Sequence, residues 1–375
     1  MSTSFPVPRQ KDWTNILFLT LSPLIGIVGT AVYTWRVGFE PWMLMLCLGM
    51  YLLIGLSICA GYHRFFAHKS YECSRIVQGL YAVFGAMAAQ NSILVWSAGH
   101  RLHHRHVDED WDPYNIRRGF WWAHILWVFY VDPAQGDTRM VPDLLRNPVA
   151  RWQHRWYRPL LLVGGFGIPT AVGALYGDAV AGLLWGGFLR LVVTHHSTFF
   201  VNSMAHTFGA AAFDSSTSAR DNWLVALLTL GEGYHSFHHR FASDYRNGVR
   251  WYQWDPTKWL IRLLEFVGLA SRLRRTVAPR IEQARMQAAL APLQRSLEGA
   301  PASLAREAQL RLLRAREALE RAFELGRQEA RVRPAGLRLP WCAERREASD
   351  CLRRARREWR EAVVLLRGPH GGSVD

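Results

Sequence analysis

The chain has 375 residues, enough for one large domain and an appendage, and half of them are apolar. Its formal net charge is +15, a balance that nucleic-acid-binding proteins share with the cytoplasmic loops of membrane proteins. Because the apolar residues are gathered in long blocks, the sequence favours a membrane protein, and we predict no nucleic-acid partner.

Four long apolar blocks dominate the first 200 residues. Thr14–Trp35 and Pro41–Tyr62 each run 22 residues without a formal charge, long enough to cross a hydrocarbon core of ~30 Å as helices. Pro159–Gly177 and Ala179–Val201 form a second pair, separated by Asp178. A soluble fold would have to bury four such helices. We therefore predict four transmembrane helices, the first of them an uncleaved span rather than a signal peptide.

The polar segments between and after these blocks are rich in histidine. One runs from His63 to Arg158, and another follows the fourth block up to about Pro279. Four crossings would place both segments and both termini on one side of the membrane. Because the short turns Arg36–Glu40 and Tyr176–Asp178 carry little positive charge, the positive-inside rule predicts that this side is the cytoplasm. The strong preference for Arg over Lys is typical of GC-rich bacterial coding, so we expect the bacterial inner membrane.

Three features depart from the simple alternation of spans and loops. Ile76–Trp96 has 21 residues without charge, but Gln90 and Asn91 interrupt it, so we predict a buried or re-entrant helix that does not cross. Phe120–Tyr130, rich in Trp and Phe, is predicted to be an interfacial helix. Arg190 lies inside the fourth block at a cost of ~2.5–3.5 kcal/mol on insertion scales, and we expect it to face the bundle interior.

The composition changes near the end of the chain, and we predict a first domain of residues 1–279 and a second of residues 280–375. The second contains 20 Arg and 13 acidic residues. Its apolar residues follow helical spacing in Leu304–Phe323 and again in Leu352–Leu366, with Pro334 between the two runs. The pattern predicts an Arg-rich amphipathic helical hairpin, which either packs on the main domain or binds a partner.

Three histidine clusters contain eight of the chain's 15 histidines. They are His63 and His68, then His100, His103 and His104, then His235, His238 and His239. Positions three and four apart share one face of a helix, so each of the last two clusters can present three imidazoles to one point. Clustered neutral imidazoles suit iron, zinc or copper. Eight are too many for one ion, so the pattern predicts two.

The clusters lie within longer motifs whose order and spacing are specific. In chain order these are Gly61–His68, His100–His104, Asp112–Phe120, Val201–His206 and Gly231–His239. From about Thr14 to Arg275 the chain resembles the membrane fatty acid desaturases, most closely the delta-9 acyl-CoA branch of the stearoyl-CoA type. The resemblance implies an all-α membrane protein, in which four transmembrane helices and a cytosolic helical cap hold a His-rich di-iron site.

The resemblance also implies a complete ligand set for two non-heme Fe2+ ions. His206, which lies outside the three clusters, matches a ninth ligand, and Asn202 matches an asparagine that holds a water near one iron. The implied metal ligands are His63, His68, His100, His103, His104, His206, His235, His238 and His239.

The residues that would contact the substrate follow from the same resemblance. They are Gln90, Trp96, Thr198, Phe199, Arg117 and Arg118. The chain departs from the animal enzymes immediately before the second histidine cluster, where Ala98 and Gly99 replace an Arg-Asp pair. The carrier of the acyl chain therefore stays open between CoA and a phospholipid.

Removing hydrogen from a saturated methylene takes a strong oxidant, which two irons can provide by activating O2. Two of the electrons come from the substrate and two from a donor. The sequence has no G-x-G-x-x-G motif opening a βαβ unit and no cysteine cluster, so we expect a separate ferredoxin-, rubredoxin- or flavoprotein-type donor. Two other functions stay open: a related membrane hydroxylase, and a non-enzymatic membrane protein that binds or transports metal.

Overall fold

The computed structural model of the chain is mostly helical, as predicted, and it describes residues 10–131, 137–298, 300–332 and 343–367. It divides into two compact units. The first combines Met1–Ala210 with Ser216–Arg275, and the second combines Ala211–Ser215 with Thr276–Asp375. Each unit is described by itself below.

Four long helices form the larger part of the first unit. The first three are Trp13–Val37, Pro41–Ala67 and Pro148–Leu175, and the fourth is a continuous helical run over residues 179–203. Polar side chains at the N-termini of three of these helices fix where the helices begin. The Asp12 carboxylate accepts a hydrogen bond from the Asn15 amide at 3.0 Å, and Asn147 and Asp178 cap the third and fourth helices in the same way.

Within the described residues, three helices are long and apolar enough to cross a membrane, and these are the first three long helices. Many of their outward-facing apolar side chains are exposed, among them Leu17, Ile27 and Leu162, which suits a surface covered by lipid. The fourth long helix is less apolar because it contains Arg190, His195 and His196. These helices indicate a membrane protein.

The apolar segment Ile76–Trp96 is two short helices rather than the single helix predicted. Arg75–Ala86 ends in a turn around Gln90, and Ile93–Arg105 begins after it. A helix of 12 residues spans about 18 Å, which is too short to cross a bilayer. The prediction of one interfacial helix over Phe120–Tyr130 was also wrong: the segment contains the α-helix Phe120–His124 and a separate 3-10 turn.

The remaining elements of the first unit are short. The other α-helices are Pro142–Leu145, Trp223–Leu228, His235–Arg240 and Pro256–Phe266. The 3-10 turns are Ile116–Arg118, Leu126–Phe129, Thr138–Met140 and Met204–His206. Two short strands, Glu72–Cys73 and Ala270–Ser271, pair in antiparallel fashion. Strand Glu72–Cys73 links the second long helix to the short helix that follows it.

In its described residues the second unit contains three helices, Ala278–Glu298, Ala302–Val332 and Ala343–Arg367. They share a small apolar core formed by Met286, Ala318, Leu319 and Ala355, with Leu352 and Trp359 packed against it. Ion pairs join their surfaces, for example Arg356 with Glu282 at 2.6 Å and Arg321 with Glu347 at 3.2 Å. The predicted breaker Pro334 lies outside the described residues.

Candidate metal centre

Nine histidines gather in two neighbouring groups in the first unit. Within each group the ring nitrogens that could bind a metal lie within 4.8 Å of one another. The first group is His63, His68, His100, His104 and His238, and the second is His103, His206, His235 and His239. The structure thus brings together all nine residues of the ligand set implied by the sequence.

The histidine clusters are divided between the two groups, which corrects the expectation that each would point at one spot. On helix Ile93–Arg105, His100 and His104 face the first group, while His103 faces the second. On helix His235–Arg240, His238 belongs to the first group, and His235 and His239 belong to the second. Each of these two helices therefore contributes to both groups and fixes the distance between them.

A π-helical segment brings the first two histidines together. Ser57–Ala67 at the end of the second long helix is π-helical, and the His68 amide donates to the His63 carbonyl at 3.1 Å. Hydrogen bonds in a π-helix join residues five apart, so a spacing of five brings the two side chains towards one face. Their ring centroids are 4.8 Å apart. In a regular α-helix the same spacing would turn the two rings well apart.

The donor set fits metal ions. Ring nitrogens of paired histidines are 2.8 Å apart for His68 and His100, 3.0 Å for His63 and His238, and 3.0 Å for His206 and His235. Two ligands at right angles, each about 2.1 Å from one ion, would be about 3 Å apart. The distances between the ring nitrogens therefore match those between imidazoles that bind one metal ion. Imidazole is a ligand for iron, zinc and copper.

Outer hydrogen bonds orient three of the rings so that Nε2 points inward. His63 Nδ1 donates to Glu232 Oε2 at 2.7 Å, and His103 Nδ1 donates to Asp112 Oδ1 at 2.8 Å. Such partners fix the tautomer and ring orientation of metal-binding histidines and commonly contribute 10- to 100-fold, as a rough range, to metal affinity.

The third oriented ring belongs to His206, the isolated ninth histidine. Its Nδ1 donates to Ser218 Oγ at 2.6 Å, and the Ser218 hydroxyl in turn donates to Asp108. The Ser218 backbone amide also donates to Asp108 Oδ2 at 2.6 Å. Asp108 has a positive φ of 65°, a conformation that Asp adopts more readily than most residues. A loop serine and the turn at Asp108 thus hold the ring of a histidine that has no other ligand histidine close to it in the sequence.

A buried ion network lies behind the first group. The fully buried Arg64 guanidinium contacts Glu232 at 2.9 Å and Asp255 at 3.0 Å, and it donates to the Tyr245 carbonyl at 2.8 Å. Burial opposes the ionisation of Glu232, but His63 and Arg64 outweigh it and lower its pKa to about 2. Glu232 is therefore an anion, and it connects the first histidine group to the buried guanidinium of Arg64.

Seven of the nine histidines in the two groups are held neutral by their surroundings. Burial, followed by repulsion from neighbouring imidazoles, lowers their pKa values below the usual range. This holds for His68, His100, His104, His206, His235, His238 and His239. A neutral imidazole is the form that binds a metal, so the site favours metal binding at neutral pH.

A cavity of about 480 Å³ adjoins both groups, and His63, His100, His103 and His235 form part of its wall. Much of the remaining lining is apolar, with Phe18, Leu19, Ile58, Val95 and Leu161 among its residues. A mostly apolar cavity with a few polar groups suits a ligand that is mostly hydrocarbon.

The predicted substrate residues fall into two sets. Gln90, Trp96, Thr198 and Phe199 line the cavity, as does Asn202. Arg117 and Arg118 do not: both are exposed in the 3-10 turn Ile116–Arg118. Arg118 instead lies over the Trp122 ring, 4.7 Å from its centroid.

The cavity residues form one hydrogen-bonded set beside the metal groups. Gln90 Nε2 donates to Thr198 Oγ1 at 2.9 Å, and Trp96 Nε1 donates to Gln90 Oε1 at 3.3 Å. The Trp96 ring stacks on His100 with centroids 4.9 Å apart. Gln90 is thereby connected through one side chain to a histidine of the first group.

Sequence reasoning missed the partners that orient the rings. Glu232 lies shortly before His235 in the motif Gly231–His239, and Asp112 opens the motif Asp112–Phe120, 9 residues after His103, so their proximity to histidines was an available signal. Asp108 and Ser218 gave no such signal, because they are 110 residues apart in the chain. The remaining described histidines, His106, His124, His154, His195 and His196, lie outside both groups.

The three membrane-type helices and the two histidine groups indicate a membrane protein whose histidines could bind metal beside a mostly apolar cavity. The fatty acid desaturase family model matches residues 40–269. The chain belongs to that family, which confirms the resemblance found in the sequence.

Named relatives fall into acyl-CoA and acyl-lipid types. The chain is 38% identical to acyl-CoA desaturase 1 of Saccharomyces cerevisiae, over 74% of this chain and 55% of the yeast protein. It is 36% identical to the sn-2 palmitoyl-lipid 9-desaturase of a Nostoc species, over 70% of this chain and 90% of that protein. It is 35% identical to human stearoyl-CoA desaturase 5, over 72% and 83% of the two chains. The match thus spans about half the length of the yeast relative.

Proposed function

We propose that the protein desaturates a saturated fatty acyl chain in an O2-dependent reaction, using a di-iron centre and electrons from a separate donor. The observation that carries the proposal is the contact between nine imidazoles in two groups and a mostly apolar cavity. When bound, two irons would supply the activation of O2 that removes hydrogen from an unactivated methylene. The two groups would hold one ion each, with Asn202 supporting a water beside one of them.

The protein's own residues would bind and orient the acyl chain. The apolar wall would exclude water from the hydrocarbon, and Trp96, stacked on His100, would hold one part of the chain next to the first histidine group. The Gln90–Thr198 pair would form the polar point at which the chain bends. Glu232, Asp112 and Ser218 would keep the rings of His63, His103 and His206 directed inward.

We infer an acyl-CoA substrate from the relatives named acyl-CoA and stearoyl-CoA desaturases, and the delta-9 position from the Nostoc relative named as a 9-desaturase. An acyl-phospholipid is the second candidate, because the Nostoc protein, matched over 90% of its length, is named as a palmitoyl-lipid 9-desaturase. Arg117 and Arg118 are exposed cations that suit the phosphates of either carrier.

The topology that we propose has four crossings in a bacterial inner membrane, with the metal groups and both termini in the cytoplasm. In this arrangement the fourth crossing is the helical run over residues 179–203, and residues 280–375 are a separate Arg-rich domain. Single-cysteine labelling near Lys69, Arg105 and Arg240 should report the cytoplasm at all three positions. Labelling from outside at Arg105 would contradict the shared site.

Product analysis tests the proposed function. The full chain is expressed in a desaturase-deficient host, and its lipids are analysed by mass spectrometry with double-bond localisation. Purified protein is then assayed with stearoyl-CoA and with a phospholipid carrying a stearoyl chain. We expect a new cis double bond, two irons per chain and O2 consumption. A hydroxylated product would identify a hydroxylase, and iron binding without O2 consumption would indicate a metal-binding or transport protein.

A further inference from the structure

An unusual turn connects the two short helices beside the metal groups. We call residues 87–92, between helices Arg75–Ala86 and Ile93–Arg105, the elbow. Ala89 and Asn91 have positive φ values of 55° and 76° although neither is glycine. Such conformations are costly, are maintained by the surrounding structure and cluster at functional sites. Gln90, the polar residue of the acyl site, lies between them.

The fourth long helix holds the first half of the elbow by two successive carbonyls. Arg190 Nη1 donates to the Met87 carbonyl at 2.9 Å, and His195 Nε2 donates to the Ala88 carbonyl at 2.9 Å. Thr198 on the same helix accepts the Gln90 amide at 2.9 Å. Three side chains of one helix thus bind three of the first four residues of the elbow.

The third long helix holds the second half. The Tyr157 hydroxyl accepts the Asn91 backbone amide at 3.0 Å, and Gln153 Oε1 accepts the Ile93 amide at 3.0 Å. His154 Nδ1 lies 2.6 Å from Ser92 Oγ. The elbow is therefore bound from both sides, and its position follows the positions of two long helices.

Arg190 joins these two helices to the elbow. Besides Met87, it donates to the Gly165 carbonyl of the third long helix at 2.7 Å and to the Gly186 carbonyl of its own helix at 3.1 Å. It is fully buried, and no carboxylate in the described part of the chain forms an ion pair with it. A buried cation within a membrane-type helix is costly and usually has a function. Within the described residues its hydrogen bonds all go to backbone carbonyls, one in the elbow and two in the third and fourth long helices.

We propose that Arg190 is a positioning residue that sets the register of the acyl chain against the two histidine groups. Because Arg190 holds the elbow, it also holds Gln90 in place. Gln90 contacts Trp96, which stacks on His100, so Arg190 sets the distance between the bend of the acyl chain and the metals. The double-bond position then depends on a residue that touches neither the substrate nor the metals. The inference rests on the proposed function and adds to it a determinant of regiospecificity.

The test compares R190M and R190K with the unchanged full chain, by iron content and by double-bond localisation in the products. We expect R190M to keep two irons and to raise the fraction of double bonds at neighbouring positions at least tenfold. R190K keeps the charge but loses the planar fork of donors, so its shift should be intermediate. R36M, at the exposed end of the first long helix, is the control and should leave the position unchanged.

Two further measurements test the role of the elbow, one with a second variant and one by hydrogen exchange. If R190M does not accumulate, Y157F removes a single hydroxyl from the other side of the elbow and should shift the bond position in the same direction, by a smaller amount. Hydrogen exchange of the purified full chain should show amides 88–93 exchanging at least tenfold faster in R190M. This result does not depend on turnover, so it separates the elbow from the proposed function. Lower yield with the original bond position, or unchanged exchange, would overturn the inference.

Discussion

The two histidine groups share the helices Ile93–Arg105 and His235–Arg240 but are supported in different ways. The first has five histidines, and its outer partner Glu232 belongs to a buried ion network with Arg64 and Asp255. The second has four histidines and depends on His206, which is held by the chain of hydrogen bonds through Ser218 to Asp108. The first group is therefore anchored in the packed interior, and the second is anchored partly in loops.

This difference indicates that the second group is the more easily altered. A network of buried charges fails as a unit, because removing one member leaves another unpaired. A hydrogen-bonded serine contributes less and can be removed with little change in packing. We therefore expect substitutions near the first group to affect folding as well as metal binding. Substitutions near the second should affect one metal selectively.

The largest effect on activity is expected for H206A. The change removes a ligand from the group that has only four, so desaturation should be abolished and bound iron should fall from about two ions to about one per chain. Iron analysis and alkene formation on the purified variant provide the measurement. H124A is the matched control, since His124 is a buried histidine that bonds to Ser203 and His196 outside both groups. Two irons with full activity in H206A would refute its assignment as a ligand.

The second largest effect is expected for E232A, and it should appear in stability. The buried Arg64 would keep Asp255 but lose its other carboxylate, and loss of a partner from such a pair costs about 3–5 kcal/mol. His63 would also lose its orienting acceptor. Unfolding in detergent with and without metal measures the effect. E265A removes the half-buried partner of the exposed Arg262 and, as the control, should cost no more than about 1 kcal/mol. Equal effects for the two variants would show that the buried network is not a structural support.

Much of this site could be predicted from the sequence, because the histidine spacings and the four apolar blocks are local signals. The division of His100, His103 and His104 between two groups could not be predicted, since it depends on where helix His235–Arg240 approaches. The π-helical turn that aligns His63 with His68 was equally hidden. The support of His206 by Ser218 and Asp108 and the contacts of Arg190 join residues far apart in the chain. Such contacts are fixed by tertiary packing and leave no periodic pattern.

A smaller and more selective effect is expected for S218A. The variant removes the hydroxyl that links His206 Nδ1 to Asp108 and should lower the affinity of the second group by about tenfold, within the range for outer partners of metal ligands. The first group should be unchanged, so iron titration should separate into a strong and a weakened site. S203A removes a comparable hydroxyl next to His124 and should leave both sites as they were. Equal weakening of both sites in S218A would contradict the separate support of the two groups.

The smallest effect on the metals is expected from truncation after Arg280. All nine histidines of the two groups precede that residue, and the described helices beyond it contain none. Both groups should therefore retain their ions, and a loss of iron would mean that the Arg-rich region helps to build the centre. The turnover with the native electron donor then distinguishes the two roles left open for this region.

If the Arg-rich region docks an acidic donor, turnover per iron should fall on truncation and become less sensitive to salt, because screening weakens attraction between charged surfaces. If it serves only as a packed appendage, turnover per iron should stay constant across the same salt series. Charge reversal at exposed arginines gives a matched test without truncation. Arg357 and Arg360 lie on one exposed face of helix Ala343–Arg367. Under the docking hypothesis, a variant with both R357E and R360E should reproduce the loss of turnover while its iron content stays at the wild-type level.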